Sequence, residues 1–139
     1  MTHPIQLLII ASDTQERQPL QAALRQSGIP LKAHFTDPDM ALDTLRHGRY
    51  DAVWLTLYHN PGAFALIRAI REDGITADLP VFLMSTLIHP TELEQAYHAG
   101  ATAHLPRPSV SGEYDTLVET FARFWRHLAP APRGAGKTA

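Results

Sequence analysis

Residues 50–62 read YDAVWLTLYHNPG. The unbroken apolar run from Ala52 to Leu55 has strand length and no polar alternation, which predicts a central strand buried on both faces. It ends at Thr56, beyond which polar residues and a Pro61–Gly62 turn follow. In an open parallel sheet, ligands and chemistry gather at the carboxyl ends of the strands, so the residue that closes this strand matters most. Here it is a hydroxyl.

Upstream, IQLLII (5–10) is a second apolar run, followed by a helical stretch to Gly28 with Leu20, Ala23 and Leu24 on one face. Asp13 and Glu16 have capping-box spacing, and Pro19 is expected to bend or loosen the first turns. IPLKAHFT (29–36) reads as a weaker strand near an edge, since Pro30 and Lys32 lie in it. Asp37 then Pro38 is an N-cap with proline at the first helical position, opening a helix whose apolar contributors are Met40, Ala41, Leu42 and Leu45. Downstream, Phe64, Ile67 and Ile70 mark a third helix, and DLPVFLMS (78–85) a doubly buried strand. Thr91 and Glu94 form a second capping-box pattern after Pro90, and the helix they start stops at Gly100. ATAHLP gives a short fifth strand. A last helix spans roughly Ser111 to Leu128, with Tyr114, Leu117, Val118, Phe121, Trp125 and Leu128 at helical spacing. Residues 129–139 are expected to be a disordered tail, leaving one domain over 1–128.

Five strands alternating with five helices predict an α/β fold, a doubly wound parallel sheet of flavodoxin-like order 2-1-3-4-5. Its crevice lies between the ends of the first and third strands. That topology gathers Ser12, Asp13 and Thr56, with Ser85 and Arg107 arriving from the fourth and fifth strands.

The totals remove several function classes. With no cysteine, disulfides and thiolate metal sites are excluded. A near balance of 12 basic and 14 acidic residues argues against a nucleic-acid binder, which carries a basic face. Apolar runs are far shorter than the ~20 residues that cross a bilayer, so no membrane association is expected. The amino terminus has no signal-peptide pattern, which makes the expected location cytoplasmic.

The pattern resembles the CheY-like receiver domain of two-component response regulators over residues 5 to 128. In that family an acidic pair after the first strand holds Mg²⁺, an aspartate ends the third strand and accepts the phosphoryl group, a Ser or Thr ends the fourth, and Lys-Pro follows the fifth. The intervals Gly28 to Thr56, Thr56 to Ser85 and Ser85 to Arg107 agree, with one residue of adjustment around Pro61. GATAHLPRP (100–108) matches the segment that leads to Lys-Pro. Position by position, the resemblance places the acidic pair on Ala11 and Ser12 with Asp13 next to it, and the phosphoacceptor on Thr56. It places the switch hydroxyl on Ser85, the lysine on Arg107, the switch aromatic on His104 and a cis-proline on Pro108. The last helix, EYDTLVETFARFWRHLAPAP, further resembles that of stand-alone regulators associated with bacterial phytochromes. The resemblance implies a histidine kinase or bacteriophytochrome partner. It also implies a homodimer through the fourth helix, fifth strand and fifth helix, with Phe121, Phe124, Trp125 and Leu128 on that surface.

Mg²⁺ prefers carboxylate oxygens, and phosphoryl transfer relies on it to neutralise charge. Ala11 and Ser12 supply no carboxylate, and a threonine hydroxyl is a weak nucleophile without a base. The expectation is a degenerate receiver: not an enzyme, without metal or cofactor, acting by phosphorylation-independent protein–protein interaction. Arg107 is expected to pair with Asp13 and bond the hydroxyls of Thr56 and Ser85. Two alternatives stand beside it: sensing of a small anion by Arg107 and the hydroxyls, or phosphotransfer at Asp13 or Thr56.

His59, His89 and His104 collect near the same sheet edge, but no histidine pair has the spacing of a helical zinc site. GAGKT (134–138) fails as a phosphate-binding loop, because Ala131 stands where the first glycine belongs. Asp51, at the amino end of its strand, reads as a turn residue.

Overall fold

The computed structural model describes residues 4–12, 14–28, 30–56, 62–85, 89–108 and 112–128, without the side chains of Glu16 and residues 126–128. Asp13, His59, Ser111 and the 129–139 tail therefore lie outside the described residues. Five strands, β1 (Ile5–Ala11), β2 (Leu31–Thr36), β3 (Ala52–Thr56), β4 (Val81–Ser85) and β5 (Ala103–Pro106), alternate with five helices. These are α1 (Thr14–Gln26), α2 (Pro38–His47), α3 (Gly62–Glu72), α4 (Pro90–Ala99) and α5 (Gly112–Leu128). All strand pairs are parallel, in the order β2-β1-β3-β4-β5, the flavodoxin-like arrangement expected.

Burial explains the order. Every residue of β3 is buried, whereas the middle of β2 is exposed, so the apolar run takes the centre and the lysine-bearing strand an edge. One face packs Leu8, Val53, Leu55 and Leu83 against Ala41 and Leu45 of α2, Ile67 and Ile70 of α3, and Ala96 and Ala99 of α4. The other packs Leu7, Ile9, Trp54, Phe82 and Met84 against Leu20 of α1 and Val118 and Phe121 of α5. Phe121 stands edge-on to Trp54, with ring centroids 5.3 Å apart, and to Phe82, at 5.1 Å.

Several local expectations shift. Met40, read as an apolar contributor to α2, is 54% exposed, and Ala41 and Leu45 carry the buried stripe. Asp37 stands at the N-cap of α2 but its carboxylate makes no cap bond, because Arg17 takes it. The Thr91 capping box is replaced by a cap two residues earlier: His89 is the N-cap, its Nδ1 accepting from the Thr91 N–H at 3.2 Å. Proline has no N–H to leave unpaired and a helix-ready φ, so Pro90 itself opens the helix. Helix α1 continues through Pro19 from Thr14 to Gln26.

At the amino-end side of the sheet, Arg71 ties the α3–β4 and α4–β5 connections together. Its Nε donates to Gly100 O at 2.9 Å, Nη1 donates to the carbonyls of Ala77 and Leu79, and Nη2 donates to Thr102 Oγ1 at 3.3 Å. Burial lowers the Arg71 pKa from its ordinary value, and Asp78 opposes that shift. Gly100 makes the contact possible. Its φ of 119° is left-handed, and a Cβ there would lie 2.5 Å from Arg71 Cγ.

Candidate functional site

The carboxyl ends of β1 and β3 are adjacent, with Ala11 opposite Thr56. Both are buried, Thr56 completely. Its hydroxyl donates to the carbonyl of Ile10 at 3.3 Å, which satisfies a polar group that has no access to water. A nucleophile has to reach its substrate, and this oxygen is enclosed.

Arg17, in the second turn of α1, occupies the space beside Ala11. Its Nε and Nη2 both donate to Ala11 O, at 2.9 and 2.6 Å, and Nη2 also pairs with Asp37 Oδ1 at 2.8 Å. The guanidinium lies 6.0 Å from the Phe35 ring centroid. A fixed positive charge therefore sits at the end of β1, where the receiver pattern keeps a cation between carboxylates. The described residues do not fit a divalent ion: Ala11 is apolar, its carbonyl is taken, and the neighbouring charge is positive. Among the described residues no group of three His, Asp or Glu side chains is placed to hold a metal.

On the β4–β5 side, Ser85 Oγ and His104 Nε2 share a hydrogen bond of 2.9 Å. The parallel register aligns Leu83 with His104 and Ser85 with Pro106, so the two side chains lie diagonally on one sheet face. Burial lowers the His104 pKa below its ordinary 6.5, which favours the neutral imidazole. Arg107 N donates to Ser85 O at 2.8 Å, and its Nε donates to Tyr114 Oη at 3.4 Å.

Thr56, Ser85 and Arg107 thus arrive at the same end of the sheet, as the topology requires, with Ser12 exposed beside β1. The Asp13 arm of the expected network lies outside the described residues. Thr56 gives its proton to β1 and Ser85 meets His104, while the Arg107 side chain reaches back to α5. No cis peptide bond occurs among the described residues, so the bond before Pro108 is trans, against the expected cis. Trans is the intrinsically preferred isomer by about 0.5–1 kcal/mol even before proline. Phe121 is a second correction. At 2% exposure, wedged between Trp54 and Phe82, it belongs to the core and not to an interaction surface. Phe124 is 42% exposed, Trp125 is half-buried and stacks on Phe121, and the Leu128 side chain lies outside the described residues.

Arg17 was not singled out from the sequence, where it looks like any polar residue of a helical face. Arg71 carried a signal. It stands four residues after Ile67, on the buried stripe of α3, and a cation there requires internal partners.

No family model matches the chain. It is 26% identical over 106 residues to the chemotaxis protein CheY of Pseudomonas aeruginosa, a match covering 75% of this chain and 85% of that protein. Among solved structures it is similar to the phosphorylated cyanobacterial phytochrome response regulator RcpA, with TM-score 0.80, 19% identity, and coverage of 93% of this chain and 98% of that one. A response regulator in red light signaling of R. palustris matches with TM-score 0.81 and 20% identity, over 92% of this chain and 98% of that one. With a five-stranded sheet in the order β2-β1-β3-β4-β5 and sequence likeness to CheY over three quarters of its length, the chain has the fold of the CheY-like receiver domains and resembles them in sequence.

Proposed function

We propose that this receiver works without an aspartyl phosphate, as a non-enzymatic signalling module that acts by binding other proteins. The observation that carries the reading is Thr56: the residue ending β3 is a fully buried hydroxyl committed to Ile10 O, beside an apolar Ala11. Arg17 supports it, because a guanidinium held by Ala11 O and Asp37 supplies positive charge at the strand ends without Mg²⁺. Losing both metal and nucleophile removes several factors of ten in rate, at ~1.4 kcal/mol each.

The working surface in this reading is the edge strand β5 with its flanking helices. Tyr97 on α4 is 47% exposed and Phe124 on α5 is 42% exposed, while β5 itself is only half covered and leaves one strand edge open. A second copy of the chain is the proposed occupant, and a histidine kinase or phytochrome the proposed upstream partner. The latter follows the likeness to phytochrome and red-light regulators. No helix among the described residues is long and apolar enough to cross a membrane, and a cytoplasmic location belongs to the same reading.

Intact mass after incubation with acetyl phosphate and Mg²⁺ tests the loss of phosphotransfer, and light scattering of wild type against Phe124→Ala tests the surface. The reading requires an unchanged mass and a mass-average that falls with the substitution. A stable phosphoryl adduct that alters the oligomeric state would sink it.

A further inference from the structure

At the opposite end of the sheet from Thr56, the amino ends of β1 and β2 and the α2–β3 connection enclose a concave patch lined by Gln6, Lys32, Ala33, His34, Arg49 and Tyr50, with a cavity volume of about 360 Å³. We propose that this patch binds a nucleotide-sized anion, a planar ring bearing one or two phosphates.

Three features of the chain build it. Parallel register sets Gln6 beside Lys32 and Leu8 beside His34. Residues two apart on a strand share a face at roughly 7 Å, so Lys32 and His34 project together on the α2 side of the sheet. The connection after α2 then brings Arg49 and Tyr50 against them. The Tyr50 ring is held in place. A Cβ on Gly48 would collide with its edge, and His34 stands tilted to it at 6.3 Å between centroids. Burial also raises the Tyr50 pKa, so the phenol stays a neutral hydrogen-bond donor.

The charge balance favours an anion. Lys32 and Arg49 make no ion pair among the described residues, whereas Arg17 and Arg46 are paired with Asp37 and Asp73. The carboxylate nearest in sequence, Asp51, does not line the patch, and its Oδ2 accepts from the Gln6 N–H at 2.8 Å. An arginine fork and a lysine point charge are the side chains that hold phosphate, and two neighbouring rings offer a face to a planar group. The volume lies near the lower end of small-ligand sites, which span roughly 300–1,000 Å³.

The test is a titration of the ¹⁵N-labelled full chain with adenosine monophosphate, adenosine and inorganic phosphate, followed by amide shifts. Adenosine monophosphate is expected to move Lys32, Ala33, Arg49 and Tyr50 saturably by about 10 mM, with adenosine and phosphate each about tenfold weaker. Lys32→Ala combined with Arg49→Ala, both at exposed positions, should keep the spectrum of the folded chain and weaken binding about tenfold or more. Absence of saturation, shifts confined to other regions, affinity unchanged in the double variant, or phosphate alone binding as well as the nucleotide would each overturn the proposal.

Discussion

Replacing Thr56 by aspartate puts back the carboxylate that the receiver pattern has at the end of β3, and the structure says what that costs. Thr56 is 0% exposed and donates to Ile10 O at 3.3 Å. A carboxylate there exchanges a donor for an acceptor facing a carbonyl, and places a charge beside buried Ala11. The nearest cation on the β1 side, Arg17, is already engaged by Ala11 O and Asp37. A buried, poorly compensated carboxylate costs several kcal/mol, and about 3 kcal/mol is the expected loss at neutral pH. Since 1.36 kcal/mol corresponds to one pH unit, the carboxyl is expected to titrate about two units above its unfolded value of ~3.9, near pH 6. The sign follows from proton linkage. The folded state binds the proton more tightly, so the penalty is absent below ~pH 4, grows by about 1.4 kcal/mol per unit up to ~pH 6, and is constant above. Urea denaturation of Thr56→Asp and wild type at several pH values, with and without Mg²⁺, measures this. A difference independent of pH and close to zero, or marked stabilisation of the variant by Mg²⁺, would refute the claim that the β1 side of the site holds neither a spare cation nor a metal position.

Other outcomes follow from the packing. Arg71→Met removes the donors to the carbonyls of Gly100, Ala77 and Leu79 and should cost about 3 kcal/mol in chemical denaturation, with a loss below ~1 kcal/mol contradicting its role as a tie. Gly100→Ala faces both a φ of 119° and the Arg71 side chain, so a loss of about 1–3 kcal/mol is expected, recovered in part when Arg71 is also shortened. Phe121→Ala should cost about 3–5 kcal/mol, whereas Phe124→Ala stays within about 1 kcal/mol and changes self-association instead; equal losses would contradict the division between core and surface. Burial lowers the folded-state pKa of His104 below 6.5, so the unfolded chain binds its proton first, and stability falls as pH drops from about 6.5 toward the lowered value. In His104→Gln that part of the pH dependence should vanish, read by denaturation at pH 5 and 7.5.

Legibility in the sequence followed the range of the interactions. The alternation of apolar runs with amphipathic stripes gave the parallel α/β architecture, because strand burial and helix faces are periodic properties of neighbouring residues. Chain order and right-handed crossovers then placed Thr56, Ser85 and Arg107 at one end of the sheet. Hydrogen-bond partners were less accessible. Arg17 is bonded to Ala11 O only because α1 folds back over the end of β1, a contact that its place on a helical face does not announce. Phe121 and Phe124 look alike along α5, but only the sheet decides that one is enclosed by Trp54 and Phe82 while the other keeps much of its surface.

The sequence by itself determined the fold and the chemical identity of these strand ends: a hydroxyl closing β3, an apolar residue closing β1, an arginine after β5. Only the tertiary structure decided that the Thr56 hydroxyl is enclosed and already bonded, that Arg17 supplies a charge at the end of β1, and that Lys32, Arg49 and Tyr50 meet around one cavity. These outcomes depend on groups far apart in sequence competing for the same few acceptors and the same space, and periodicity along the chain carries no record of that competition.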